Sequence, residues 1–188
     1  MNSLRKIALN LTDKNARKVS RTIRVHNMQT AKNIGIAYNA TVRSDEDKVV
    51  KLIRFFKEER KNVTALGFIN SKKPEDMPEQ KLNHRYFNKK SLNWLGLPKK
   101  SDETLKSFVN QSFDILINLD LEGENLPLLW IFALSKAQFK VSAAHPLLEK
   151  YADFMLDVSS KNDISYFNIQ LKHYLKIINK KSEEYEHV

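Results

Sequence analysis

The stretch from Asn33 to Ile69 constrains the fold more than any other part of the chain. Asn33-Ile34-Gly35-Ile36-Ala37-Tyr38-Asn39-Ala40 is a nearly unbroken apolar run of strand length. Ser44-Asp45-Glu46-Asp47 then reads as a helix start, with Ser44 as cap and the acids favourable against the N-terminal dipole. Val49, Leu52, Ile53 and Phe56 recur at helical spacing, and Val63 to Ile69 is a second apolar run. Strand, helix, strand within so few residues is a βαβ unit. Its strands are parallel and its crossover is right-handed.

The second half repeats the alternation. Phe113 to Asp120 is the strongest strand signal. Asn125 and Pro127 open a helix that is apolar almost all round, which predicts burial. Lys140 to Ala143 and Phe154 to Val158 are shorter strands, and Asp163 caps a last helix carrying Ile164, Phe167, Leu171, Tyr174, Leu175 and Ile178 on its buried side. Between the halves, residues 70–83 read as a loop with Pro74 and Pro78, His84 to Phe87 as a short edge strand, and Ser101-Asp102-Glu103 as the cap of another helix. The expected fold is α/β. It is a three-layer sandwich around a mostly parallel five-stranded sheet, ordered 2-1-3-4-5 as in flavodoxin-like or Rossmann-like folds.

Ahead of this domain, expected over residues 33–179, residues 1–32 read as a basic helical arm, and residues 180–188 as a charged tail. The arm holds eight Lys and Arg against the single acid Asp13, so it carries seven of the ten net positive charges. Leu4, Ile7, Ala8 and Leu11 have helical spacing. Ala16, Val19 and Ile23 form a thin second stripe, flanked by Lys14, Arg17, Lys18, Arg21 and Arg24. The arm therefore reads as one basic amphipathic helix or two short ones. Charge this one-sided points to a polyanionic partner.

The segment 84–100 has no acid and interleaves Arg85, Lys89, Lys90, Lys99 and Lys100 with Tyr86, Phe87 and Trp94. The basic residues are available to phosphates; the aromatics are expected to pack into the core rather than stack on bases. A separate candidate is the carboxyl edge of the sheet, where open α/β folds bind ligands. Asn39, Asp120 and Glu122 are its first residues. Carboxylates there suit a cation or general-base chemistry.

Other classes find no support. With no cysteine there is no disulfide framework, thiolate metal site or Cys nucleophile. The five His are scattered, no strand is followed by a Gly-rich phosphate loop, and no G-x-S-x-G occurs. No cofactor or metal is therefore expected. The most apolar run, LPLLWIFAL at 126–134, is too short to span a bilayer, and a cytoplasmic protein is the expectation.

The runs IGIAYNA, VVKLIRFFKEERKNVTALGFI, YFNKKSLNWLG and FDILINLDLEGENLPLLWIFALSKAQFKVSAAH, with ADFMLDV and YFNIQLKHYLKIIN, are similar to an uncharacterised bacterial family. That family is of Bacteroidota type and is a domain of unknown function; the likeness covers about 33–178. FDILINLDLEGENLPLLWIFALSKAQFKVSA also resembles a strand–helix–strand unit in the N-terminal half of heptosyltransferase-type glycosyltransferases. No second Rossmann-like domain to hold a sugar nucleotide is expected here, so that resemblance implies fold and not activity.

Taken together, these features predict a non-catalytic binding module whose arm contacts structured or ribosomal RNA through Lys14, Arg17, Lys18, Arg21, Arg24, Arg85, Lys89 and Lys90. The alternatives are a small enzyme or ligand sensor working at Asn39, Asp120 and Glu122, and a subunit that docks on another protein through the arm or the LPLLWIFAL helix.

Overall fold

The computed structural model describes residues 3–179; the expected charged tail lies outside them. The elements run α1 (Ser3–Ala16), β1 (Asn33–Asn39), α2 (Arg43–Glu58), β2 (Asn62–Ile69), β3 (His84–Asn88), α3 (Glu103–Asn110), β4 (Ile115–Asn118), α4 (Leu126–Leu134), β5 (Phe139–Ala143), β6 (Phe154–Leu156) and α5 (Ile164–Ile177). Every strand pair is parallel, in the order β3-β2-β1-β4-β5-β6. The sheet has six strands rather than five. The expected five lie in the expected order, and the edge strand at His84 joins outside β2 as a full member.

Strand side chains alternate between faces, and the core divides accordingly. Ile34, Ile36, Ile115, Ile117, Phe139 and Val141 pack with Val49, Leu52 and Phe56 of α2 and Phe167, Leu171 and Leu175 of α5. Ala37, Leu66, Phe68 and Leu116 pack with Ala8 and Leu9 of α1, Leu105 and Phe108 of α3, and α4. Gly35 faces this second core closely: a Cβ there would lie 2.8 Å from the Phe113 ring and 2.9 Å from Leu116. Buried on both faces, parallel strands need continuous apolar runs, which is why they were legible as such.

Caps agree in part. Asp102, Asn125 and Asp163 each accept a backbone N–H at the start of their helices. Ser44 does not cap α2, which begins one residue earlier, behind Val42, with no side-chain cap. Pro127 to Ala133 are buried, most of them in the protein's own core. Tyr174, expected on the buried side of α5, is exposed.

The N-terminal segment departs most from expectation. It holds one helix, which stops at Ala16. The buried side of α1 is Ala8, Leu9 and Thr12; Leu4, Ile7 and Leu11 are exposed. Residues 17–32 are turns and irregular chain, so the second basic helix is absent and its charges share no helical face. Tertiary pairing holds this segment in place: Arg24 N donates to Gln138 O at 3.1 Å and Met28 N to Leu175 O at 2.8 Å. Asn27 Nδ2 donates to Ile178 O at 3.1 Å, and Met28 and Ala31 are buried in the α2–α5 core.

Candidate functional site

The sheet order reverses between β1 and β4, and a crevice forms where their carboxyl ends diverge. Asn39 is the last residue of β1, and Asp120 and Glu122 follow β4, so adjacency of the two strands brings all three together. They line a crevice of about 260 Å³ with Asp45 and Lys48 of α2 and Asp163 at the start of α5. Lys48 Nζ bridges Asp45 at 3.2 Å and Asp163 at 2.7 Å, and these bonds raise its pKa. Asp120 is only 8% exposed. Burial pushes its carboxyl up to about 6, with Glu122 and Glu124 adding to the rise; the Asn125 N–H (2.8 Å) and His145 pull the other way. The loop closes through Gly123, whose φ of 61° and contact with the His145 ring leave no room for a Cβ.

Four carboxylates and one lysine make this crevice suited to a cationic or hydroxyl-rich ligand and hostile to a polyanion. Among the described residues, no group of three or more His, Asp or Glu could hold a metal ion.

The expected cationic residues do not form one site. Arg21 is committed to structure: its guanidinium forks onto Asp153 at 2.7 and 2.8 Å and also reaches Ala137 O and Gln138 O. Arg85 lies exposed on edge strand β3, and Lys14 and Arg24 are exposed on the N-terminal segment. Lys18 lines a groove with lysines from later in the chain, and Lys90 meets Lys99; Lys89 is exposed beside Lys90.

Lys89 and Lys90 open a turn that returns at Lys99 and Lys100. A bridge between Leu92 and Pro98 and the bond from Lys99 N to Ser91 O close its neck. Lys99 Nζ donates to Lys90 O at 2.7 Å, which brings the two ends together. Asn93 Oδ1 accepts from Leu95 N and Leu97 N, and Gly96, at φ 76°, completes the bend. Trp94 stands at the tip, 78% exposed. Its neighbours do the reverse. Tyr86 and Phe87 are buried, and Tyr86 hydrogen-bonds Glu46 while His84 Nε2 meets Tyr38 OH at 2.7 Å. Packing into the core thus holds for the strand aromatics and fails for Trp94.

Beside this turn a groove of about 490 Å³ runs over the outer side of α3 and α4. Val19, Val109, Trp130 and Leu134 supply an apolar floor, and Lys18, Lys99, Lys100, Lys106 and Lys136 surround it. No carboxylate lines it; Glu103 pairs with Lys106 at 3.3 Å from the exposed side. Lys106, Lys136 and Trp130 escaped the sequence reading because nothing in a linear pattern places the ends of α3 and α4 beside residue 18. The faint signal was Lys136 just after the apolar run of α4.

Searches of curated proteins and of solved structures found no match. A family model does match, over residues 2–178, and so takes in the N-terminal segment as well as the sheet. The chain belongs to the family described as a family of unknown function, DUF6913.

Proposed function

We propose that the protein is a non-catalytic binding module for RNA, and that it takes a single-stranded or looped segment across the turn of residues 89–100 and the adjoining groove. One observation carries this reading: an exposed Trp94 on a turn bracketed by four lysines. A solvated loop has no need of a tryptophan, and exposing one wastes apolar burial worth about 2 kcal/mol or more. Stacking a base on such a ring is worth about 1–3 kcal/mol and tolerates any sequence. Lysines around the groove would neutralise the backbone on either side, and unstacked RNA bases are what such aromatics recognise. The interface thus draws one lysine, Lys18, from the N-terminal segment and the rest from the body.

The test is binding of a fluorescent single-stranded RNA by anisotropy across a salt series. The full chain is compared with Trp94→Ala and with Lys99→Glu/Lys100→Glu. Deleting residues 1–30 would be uninformative, because Ala8, Leu9 and Met28 belong to the core. Loss of affinity in both variants supports the reading. Heparin binding as tight as RNA binding, with no effect of Trp94→Ala, reduces it to nonspecific charge attraction and rejects it.

A second reading rests on Asp120. A buried carboxyl titrating near 6 at the carboxyl edge of a parallel sheet suits a ligand sensor or small enzyme. Saturable binding of a cationic or polyhydroxyl ligand that Asp120→Asn abolishes would favour it.

A further inference from the structure

The switch-point crevice and the lysine groove leave one buried cation unexplained. Lys140, the second residue of β5, is 2% exposed and lies on the α4 side of the sheet. Its Nζ donates to Ala133 O, a carbonyl near the C-terminal end of α4, at 3.0 Å, and lies 5.8 Å from the centre of the Phe132 ring. Among the described residues that amine has no other hydrogen-bond partner and no carboxylate. The acid whose charge acts on it, Asp153, is spent: its oxygens accept from the Arg21 guanidinium and from the Lys140 backbone N–H. Burial, and then the Arg21 charge, push the amine down to about 7 against the pull of Asp153.

Lys140 lines a cavity of about 340 Å³ between the end of α1, the chain after it, and the turn before β6. Arg17, Arg21 and Lys150 line it too, with Asp13 as the single acid. Asp13 is likewise committed, to Lys150 at 2.6 Å and to the Tyr151 hydroxyl. Burial opposes its ionisation, but those bonds hold its carboxyl below the usual value. Arg17 is exposed at the rim and makes no ion pair or hydrogen bond through its side chain among the described residues. Four cationic groups thus surround a space whose one carboxylate is taken. A buried ammonium without a counter-ion costs stability, and an anion in the cavity would remove that cost.

We propose that this cavity is a binding site for a small phosphate-bearing molecule, with Lys140 and Arg17 as its principal contacts. Two cations not offset by internal carboxylates suit a dianion better than a monoanion: Arg17, Lys140 and Lys150 set against Asp13 leave two charges, and Arg21 is balanced by Asp153. The volume admits a phosphate with a substituent of several carbons. Apolar Ala16, Val19 and Ala133 line the rest of the space.

The experiment uses the full chain and inorganic phosphate as probe, with chloride at matched ionic strength as control, at pH 7. Thermal midpoint and calorimetric binding are both read. Wild type is expected to bind phosphate and to rise in midpoint. Lys140→Met, which keeps length and removes charge, should lose that increment, and Arg17→Gln, at an exposed position that leaves folding intact, should weaken binding several-fold. The Lys140→Met chain without phosphate should be more stable than wild type at pH 7. That difference should shrink toward pH 10, because the unfolded lysine stays protonated to its ordinary value of 10.5 while the folded one does not. An equal increment in both variants, or in chloride, overturns the site. RNA affinity separates this site from the groove. If Lys140→Met weakens RNA binding as much as phosphate binding, the cavity belongs to the RNA track and the small-ligand assignment fails. Unchanged RNA affinity supports two sites.

Discussion

At the carboxyl ends of β1 and β4 the protein gathers Asp45, Asp120, Glu122 and Asp163 around one lysine. Over the outer side of α3 and α4 it sets five lysines around a groove with no acid in its lining. A doubly wound sheet supplies the first place by topology, since chain reversal opens a crevice there whatever the sequence. The second owes nothing to topology. It is assembled from the ends of α3 and α4, a 12-residue turn and the chain after α1, so only side-chain choice explains its uniform sign. The comparison teaches that here fold and charge point to different sites, and a polyanion will follow the charge.

The largest expected effect breaks the basic side. Reversing Lys99, Lys100 and Lys136 together to Glu should lower RNA affinity about a hundredfold at low salt, measured by anisotropy. Replacing the same three with Gln should flatten the salt dependence by about 0.7 per lost phosphate contact. Trp94→Ala should cost roughly tenfold in RNA affinity, in line with one lost stacking partner, while leaving the salt slope unchanged. The acidic side is tested through stability. Because burial raises the folded Asp120 pKa from 3.8 to about 6, the folded chain holds that proton more tightly than the unfolded one. Its contribution is therefore most favourable below about pH 4 and is lost as pH rises through 6. Asp120→Asn, which keeps the acceptor for Asn125 N–H, should stabilise by about 2–3 kcal/mol at pH 7 and by less than about 1 kcal/mol near pH 4, as read by urea melts at the two pH values. Smallest of all, Glu103→Gln removes the acid paired with the groove residue Lys106 and should tighten RNA binding less than twofold, since that pair is exposed.

What could be read from the sequence follows from what each pattern depends on. Asn33 to Ile69 was readable because a strand buried on both faces must be apolar throughout and α2 needs a single apolar stripe. Asn39, Asp120 and Glu122 came together as expected because position after a strand, plus strand adjacency, is enough to place them. The second helix of the N-terminal segment failed because Arg17, Lys18, Arg21 and Arg24 fit helical spacing by count alone. Their stripe of Ala16, Val19 and Ile23 was too thin to beat backbone bonds to Gln138 and Leu175. Trp94 was misjudged since aromatic residues are usually buried, and the Asn93 and Gly96 bend that throws it outward is a local device without apolar period. Lys140 looked like any strand residue; a lone lysine between Phe139 and Val141 in a short buried run was the available signal.

The bonds that tie residues 24–28 to residues 138, 175 and 178 also order events during synthesis. At ordinary elongation rates the partner carbonyl of Met28 emerges roughly ten to thirty seconds after Met28 itself. The most basic stretch docks sooner, because the partners of Arg21 and Arg24 are Ala137, Gln138 and Asp153. Translation intermediates arrested before β5 should therefore stay open to trypsin between Lys18 and Arg24, and completion of β6 should close that window.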